Sequence, residues 1–307
     1  MPVSHLLSTR TLTSNDVLDI IREAHGYLSS NGLKPQQHDV AFGRRVVLAF
    51  FEASTRTRLS FETAAHRLGA DTVLFQPSGS SVEKGETLRE TVLTIEAMGF
   101  DAIVLRHADN GTHETVASYT AMSVINAGEG SLAHPTQALL DASALMERCG
   151  TLEGMRICIV GDIRHSRVAR SNIDVFTKLG ADVAVCAPPA LMGEDDDIRS
   201  LLRFESISDA LEWAQVINLL RIQRERMTDV IVPSFDDYRS RYALTLDRAL
   251  AHPDTVVIHP GPVNVGVEAD ADVLDLPQTL IHRQVSHGVA VRMAVLRRIL
   301  TDRPTAT

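Results

Sequence analysis

The sequence predicts two open α/β domains of similar size, each built on a parallel sheet. Three observations point there. A chain of 307 residues suits two domains at about 150 residues each. Short apolar runs alternate with helix-period segments in both halves, the pattern of strands joined by crossover helices. Several of those runs are apolar throughout, as in strands buried on both faces.

Taken in order, Val17, Ile20, Ile21, Ala24 and Leu28 recur at helical spacing behind the start signal Thr13-Ser14-Asn15-Asp16. Val46-Val47-Leu48-Ala49-Phe50-Phe51 reads as a buried strand, followed by a helix from about Leu59 that ends at Gly69, a residue suited to a helix C-terminus. Val73-Leu74-Phe75 and Ala102-Ile103-Val104-Leu105 are further strands, with a helix from Thr87 to about Met98 between them, and Ser123-Val124-Ile125-Asn126 is a weaker strand. A helix from about Pro135 to Cys149 leads through Gly150 into the second half. There Ile157–Val160, Val183–Cys186, Val216–Leu219 and Val256–Ile258 read as strands, and an amphipathic helix of about 284–300 closes the chain. No repeat recurs along the sequence.

Composition narrows the function. The formal net charge of −9 argues against nucleic acid as a main partner, because a phosphate backbone calls for a basic face. In so acidic a chain, arginines gathered in a few loops point to small anions. Residues 1–10 hold no long apolar run, so no signal peptide is expected, and no apolar stretch is long enough to predict a membrane span. Cys149, Cys158 and Cys186 form no CxxC and no pairing framework, which fits a reducing cytoplasm. The acidic stretch Gly193-Glu194-Asp195-Asp196-Asp197 reads as a solvated loop.

The most informative segment is Phe50-Phe51-Glu52-Ala53-Ser54-Thr55-Arg56-Thr57-Arg58. It lies between a predicted strand and a predicted helix, where free N–H groups and the helix dipole favour an anion. Three hydroxyls and two guanidiniums add donors suited to phosphate. Other phosphate sites are excluded. There is no GxxxxGK[ST], and Val160-Gly161-Asp162 lacks the GxGxxG fingerprint. Neither HExxH nor another dense ligand cluster appears among the 12 histidines, so no catalytic metal is expected. Among Arg221, Arg224 and Arg226, only Arg221 directly follows a buried strand, where open α/β sheets bind ligands.

The string Ser54-Thr55-Arg56-Thr57-Arg58 resembles the carbamoyl phosphate signature of the carbamoyltransferases. The likeness continues through Val82–Thr87, Val104-Leu105-Arg106-His107 and His134-Pro135-Thr136-Gln137. In the second half it covers Gly161-Asp162 with Arg167, then Arg221–Arg226, then His259-Pro260-Gly261-Pro262. These blocks run in family order over most of the chain.

The resemblance implies a carbamoyl phosphate-binding domain over residues 1–145, with the C-terminal helix of about 284–307 packed back on it. An aspartate-binding domain over 146–283 follows, and the active site lies in the cleft between the two. Ser54, Thr55, Arg56 and Thr57 hold the phosphate, and Arg106 bridges phosphate and carbonyl oxygens. His134 donates to the carbonyl oxygen, Gln137 orients the carbamoyl amide, and the backbone at Gly261 and Pro262 also meets that group. Arg167 and Arg221, assisted by Gln223, bind the two carboxylates of aspartate. Ser80 and Lys84 reach the site from a neighbouring subunit, which implies a homotrimer with shared active sites.

The implied reaction is carbamoyl transfer from carbamoyl phosphate to aspartate, an early step of pyrimidine biosynthesis that uses no cofactor. Regulatory chains or a dihydroorotase partner stay open, as does a catalytically silent scaffold role. An ornithine-type acceptor is the nearer alternative. Members of that type carry a cysteine in the block that here reads His259-Pro260-Gly261-Pro262, and a Ser-Met-Gly element absent here. Arg226 is expected to pair with Glu52 on domain closure, and Val265 stands where many members have arginine.

Overall fold

A computed structural model describes residues 5–34, 37–77, 79, 85–222 and 234–301. The chain forms two compact units, Met1–Ser143 with Val285–Thr307, and Ala144–Gln284.

The first unit opens with α1 (Ser14–Gly26), started by a capping box. The Thr13 hydroxyl accepts the Asp16 N–H, and the Asp16 carboxylate accepts the Thr13 N–H. A small hairpin of β1 (Leu28–Ser29) and β2 (Gly32–Leu33) follows. Then come β3 (Arg45–Phe50), α2 (Thr55–Arg67), β4 (Asp71–Phe75), α3 (Leu88–Ala97), β5 (Ala102–His107), α4 (Thr112–Ala117), β6 (Ser123–Glu129) and α5 (Pro135–Cys149). The four longer strands form a parallel sheet in the order β4-β3-β5-β6. Val46–Ala49 and Ala102–Leu105 are buried, as their unbroken apolar runs require. One side of the sheet packs Val47, Ile103, Leu105 and Val124 against Val92, Ile95 and Val116. Each such side chain contributes roughly 1.5–3 kcal/mol by leaving water.

Two local readings change. The second helix begins at Thr55, earlier than about Leu59, because Ser54 takes the extended N-cap conformation before any apolar period starts. The short helix α4 was not predicted, since so few residues show no period. Order in this sheet matters for function. The strand following β3 lies on one side of it and β5 lies on the other. The carboxyl ends of β3 and β5 therefore form a switch point, where Phe50 stands in register with Arg106.

The second unit contains β7 (Arg156–Val160), α6 (Arg167–Lys178), β8 (Asp182–Cys186), α7 (Asp196–Arg199), β9 (Leu202–Phe204), α8 (Ile207–Trp213), β10 (Val216–Leu219), α9 (Phe235–Tyr242), α10 (Leu246–Ala251) and β11 (Val256–Ile258). Its parallel sheet has the order β11-β10-β7-β8-β9, so its switch point lies between β7 and β10, where Val160 registers with Leu219. Gly161 caps β7 at φ 127°, and a Cβ there would stand 3.0 Å from the Leu220 carbonyl. A glycine is needed for the two strand ends to approach. The acidic stretch predicted as a solvated loop includes the exposed start of α7, and Asp195 pairs with Arg170 at 2.5 Å.

The last helix, α11 (Ile281–Thr301), runs from the second unit into the first. Within the first unit, Glu23 of α1 accepts hydrogen bonds from Arg297 and Arg298 of α11. Burial raises the Glu23 pKa, and these two arginines outweigh it to leave the carboxyl below its ordinary value. Cys158 and Cys186 are buried core residues whose thiols are pushed up by burial, Cys186 to about 12. No helix among the described residues is long and apolar enough to cross a membrane.

Candidate active site

The Ser54–Thr57 string forms the N-terminus of α2 at the first switch point. Ser54 is the N-cap, yet its side chain makes no capping hydrogen bond. The first turn holds no acidic residue and carries Arg56 instead, with Arg58 following. Cations at the positive end of a helix dipole cost roughly 0.3–1 kcal/mol each. A bound anion removes that cost and uses the free N–H groups. Thr57 is buried while Thr55 and Arg56 are exposed, so donors face both the interior and solvent.

Arg106, the last residue but one of β5, lies beside this turn. The Phe51 N–H donates to the Arg106 carbonyl at 2.9 Å, locking the two strand ends together. The β5–β6 pairing is irregular between Leu105 and His107, a device that re-aims a side chain at a sheet end. The Arg106 guanidinium donates from Nη1 to the Ala127 carbonyl at 3.2 Å, and its Nε lies 3.4 Å from the Glu52 carboxylate. Glu52 is expected to meet Arg226, which lies outside the described residues; among the described residues it lies against Arg106.

His134 and Gln137 stand at the start of α5. The His134 carbonyl accepts the N–H groups of Gln137 and Ala138, and Pro135 occupies the first helical position, where its missing N–H costs nothing. Both side chains are buried. The turn before them is built tightly. The Gly130 N–H donates to the His107 carbonyl at 3.0 Å, and a Cβ on Gly130 would lie 2.8 Å from the Ala108 carbonyl.

A buried polar set supports this turn from below. His113 of α4 donates from Nε2 to the Leu105 carbonyl at 2.7 Å, and its Nδ1 lies 3.4 Å from Glu129. Asn126 donates to the same carboxylate at 3.3 Å and accepts the Gly128 N–H at 2.7 Å. Burial raises the Glu129 pKa, but the hydrogen bond and charge of His113 and the nearby amides outweigh it and leave the group lowered. The resulting stabilisation is complete above the ordinary glutamate pKa of about 4.3 and disappears as pH falls through the depressed value. Thermal melts of wild type and Glu129→Gln should therefore differ most near neutral pH and draw together only as pH falls below about 4.3. A gap that stays constant from pH 7 to pH 3 would contradict this.

In the second unit, Arg167 is the first residue of α6, which follows β7, and it is buried. It does not cap its helix, because Ser166 does so by accepting the Ala169 N–H. Arg221 follows β10 at the second switch point, and the adjacent Ile222 N–H donates to Glu268 at 2.8 Å. Glu268 also accepts the backbone and side-chain N–H groups of Asn264 at 2.5 and 2.6 Å. The His259–Pro262 turn follows β11, and the Gly261 N–H donates to His259 Nδ1 at 2.7 Å. Glu268 thus ties the segment after Arg221 to the turn carrying Gly261 and Pro262. Val265, next to that turn, is exposed.

Of the residues predicted for the site, Ser54, Thr55, Arg56, Thr57, Arg106, His134 and Gln137 lie at the strand ends and helix starts of the first unit. Arg167, Arg221, Gly261 and Pro262 lie in corresponding positions of the second. Ser80, Lys84 and Gln223 lie outside the described residues. Sequence reasoning missed Glu129 and Glu268, which touch neighbours of the predicted residues, and Asp141, which touches Gln137 itself. For Asp141 a signal existed, since it follows Gln137 at the helical i,i+4 spacing.

Two parallel α/β units, each with arginines near the carboxyl ends of its central strands, define a two-unit α/β protein of the kind that binds ligands at strand ends. Family models match both halves: "Aspartate/ornithine carbamoyltransferase, carbamoyl-P binding domain" over residues 4–147 and "Aspartate/ornithine carbamoyltransferase, Asp/Orn binding domain" over residues 153–299. The chain belongs to the aspartate/ornithine carbamoyltransferase family. Within it, the aspartate carbamoyltransferase catalytic subunit of Syntrophomonas wolfei is 50% identical over 255 residues, 83% of this chain and 82% of that one. That of Thermobifida fusca is 44% identical over 299 residues, covering 97% and 96%. Among solved structures, the catalytic subunit of M. Jannaschii aspartate transcarbamoylase superposes with a TM-score of 0.85 at 32% identity, covering 98% and 99%. The aspartate transcarbamoylase of Trypanosoma cruzi in complex with carbamoyl phosphate and aspartate gives 0.86 at 26% identity, covering 97% and 99%.

Proposed function

We propose that this chain is an aspartate carbamoyltransferase, transferring the carbamoyl group of carbamoyl phosphate to the amine of L-aspartate to give N-carbamoyl-L-aspartate and phosphate. The observation that carries the reading is the α2 N-terminus. It sets Ser54, Thr55, Arg56 and Thr57 at a sheet switch point with Arg106 on the neighbouring strand end. These groups hold the phosphate. Thr57, Arg106 and His134 donate to the carbonyl oxygen as it becomes an oxyanion, a contribution of about 3–4 kcal/mol per donor. Gln137 orients the carbamoyl amide, with the backbone of Gly261 and Pro262. The uncharged amine of aspartate attacks the carbamoyl carbon, the tetrahedral intermediate collapses, and the departing phosphate takes the proton.

Paired cations at Arg167 and Arg221 suit a dicarboxylate acceptor better than a cationic one, which favours aspartate over ornithine. Gln223 and Lys84 assist in binding it. The enzyme serves an early step of pyrimidine biosynthesis in the cytoplasm, a setting that suits its free cysteines.

The active enzyme is a homotrimer in which Ser80 and Lys84 enter a neighbour's site. Val73 and Leu74 on the edge strand β4, and Leu59 on α2, are exposed apolar side chains that a second copy would cover. A mixing experiment tests the shared site. Trimers of Lys84→Ala and of Arg56→Ala are each expected to be nearly inactive. After verified subunit exchange, every mixed cyclic trimer holds one site with both residues intact. Carbamoyl-aspartate formation should then return to an appreciable minority of the wild-type rate. Exchange without recovery would show that Lys84 does not complete a neighbour's site.

A further inference from the structure

A buried polar chain in the first unit lies behind Gln137. One turn further along α5, Asp141 is wholly buried and accepts a hydrogen bond from Gln137 Nε2 at 2.8 Å. The NH2 end of the Gln137 amide therefore faces Asp141 and Oε1 is turned away from it, the sense in which a carboxylate accepts. A glutamine without such a neighbour has no fixed sense, because its two ends are nearly the same shape and exchange by a half-turn.

A buried carboxylate needs a cation to stay charged. Arg292 of α11 is a cation whose charge acts on Asp141. It is buried, donates from Nη1 to Ser60 at 2.9 Å, and lies over the Phe61 ring at 5.0 Å from its centre. Burial lowers its pKa to about 10, opposed by the charge of Asp141, so it stays cationic at neutral pH. Gly288 leaves room for the Arg292 guanidinium, since a Cβ there would lie 2.7 Å from Arg292 Nη1 and 3.3 Å from Leu140.

We infer that Asp141 is a positioning residue that sets donor specificity: it holds the NH2 end of Gln137, so that the amide oxygen is presented to the NH2 of the carbamoyl group. The site then distinguishes carbamoyl phosphate from acyl phosphates that lack this NH2. The inference rests on the reading of Gln137 as the residue that orients the carbamoyl amide.

Acetyl phosphate is the probe, because it carries a methyl group where carbamoyl phosphate carries NH2. The quantity to follow is the ratio of its inhibition constant, measured against carbamoyl phosphate, to the KM of carbamoyl phosphate. In Asp141→Ala this ratio should shrink about tenfold, the size of one lost hydrogen bond. The KM should rise while the acetyl phosphate constant stays within about twofold. Asp141→Ala leaves Arg292 without its counter-charge, so Asp141→Leu/Arg292→Met is measured beside it. That pair removes both charges while keeping the volume filled, and the same narrowing is expected. A merely structural role would weaken both ligands together and leave the ratio unchanged. Gln137→Ala separates the two levels of the argument. If it narrows the ratio and the folded Asp141 variants do not, Asp141 does not position Gln137, although the reading of Gln137 stands. If Gln137→Ala leaves the ratio at its wild-type value, that reading fails and the inference falls with it.

Discussion

Arg56→Ala should lower turnover more than a hundredfold with both substrates saturating, while the protein melts at an unchanged or slightly higher temperature. The two halves of this expectation have one cause. Arg56 stands in the first turn of α2, against the helix dipole, with no acidic residue in that turn. A cation at that position costs roughly 0.3–1 kcal/mol against the helix dipole, which alanine removes. Alanine is also the better helix former. The activity loss follows because the phosphate gains charge as it leaves, so the guanidinium contact strengthens in the transition state and its removal lowers kcat. A hundredfold loss corresponds to about 2.7 kcal/mol, within reach of one charge-assisted donor in a water-poor site. Near-normal turnover would remove the phosphate-loop assignment.

Arg221→Ala is expected to act on the other substrate. The aspartate KM should rise roughly 10–100-fold, the range for a charge-assisted contact to one carboxylate, while carbamoyl phosphate binds as before. Arg221→Lys should recover only part of the loss, because an ammonium does not reproduce a two-pronged contact. Arg221 stands two residues beyond β10, and Glu268 holds the next residue, so the arginine can be removed without disturbing the strand. A parallel fall in affinity for both substrates would mean that Arg221 serves the fold of its unit and not the acceptor.

Much of this architecture is legible in the sequence because strands buried on both faces announce themselves as unbroken apolar runs. Val46–Ala49 and Ala102–Leu105 are such runs, and both are central strands. Short elements leave no such trace. The helix α4 spans Thr112–Ala117 and the strand β9 only Leu202–Phe204, too few residues to show a period. The start of α2 was placed late for a related reason. Its first turn is polar, and polarity there reflects what the helix end binds and not what its flank packs against.

The same distinction governs the site. Residues predicted to meet substrate occur in compact strings such as Ser54–Arg58 and His134–Gln137, where residue type and spacing carry the chemistry. The residues behind them are scattered. Glu129 and His113 come from a strand end and a separate short helix, and Glu268 meets Ile222 across a long stretch of chain. Only folding brings these pairs together. Asp141 is the exception, being within one helical turn of Gln137.

The central claim is that this chain moves a carbamoyl group from carbamoyl phosphate to aspartate. The most direct test offers the wild-type protein carbamoyl phosphate together with aspartate or ornithine, side by side, and identifies the carbamoylated product. N-carbamoyl-L-aspartate should form with release of one phosphate per product, and ornithine should give little or none. Preferential formation of citrulline from ornithine, or no carbamoylated product from either amino acid, would contradict it.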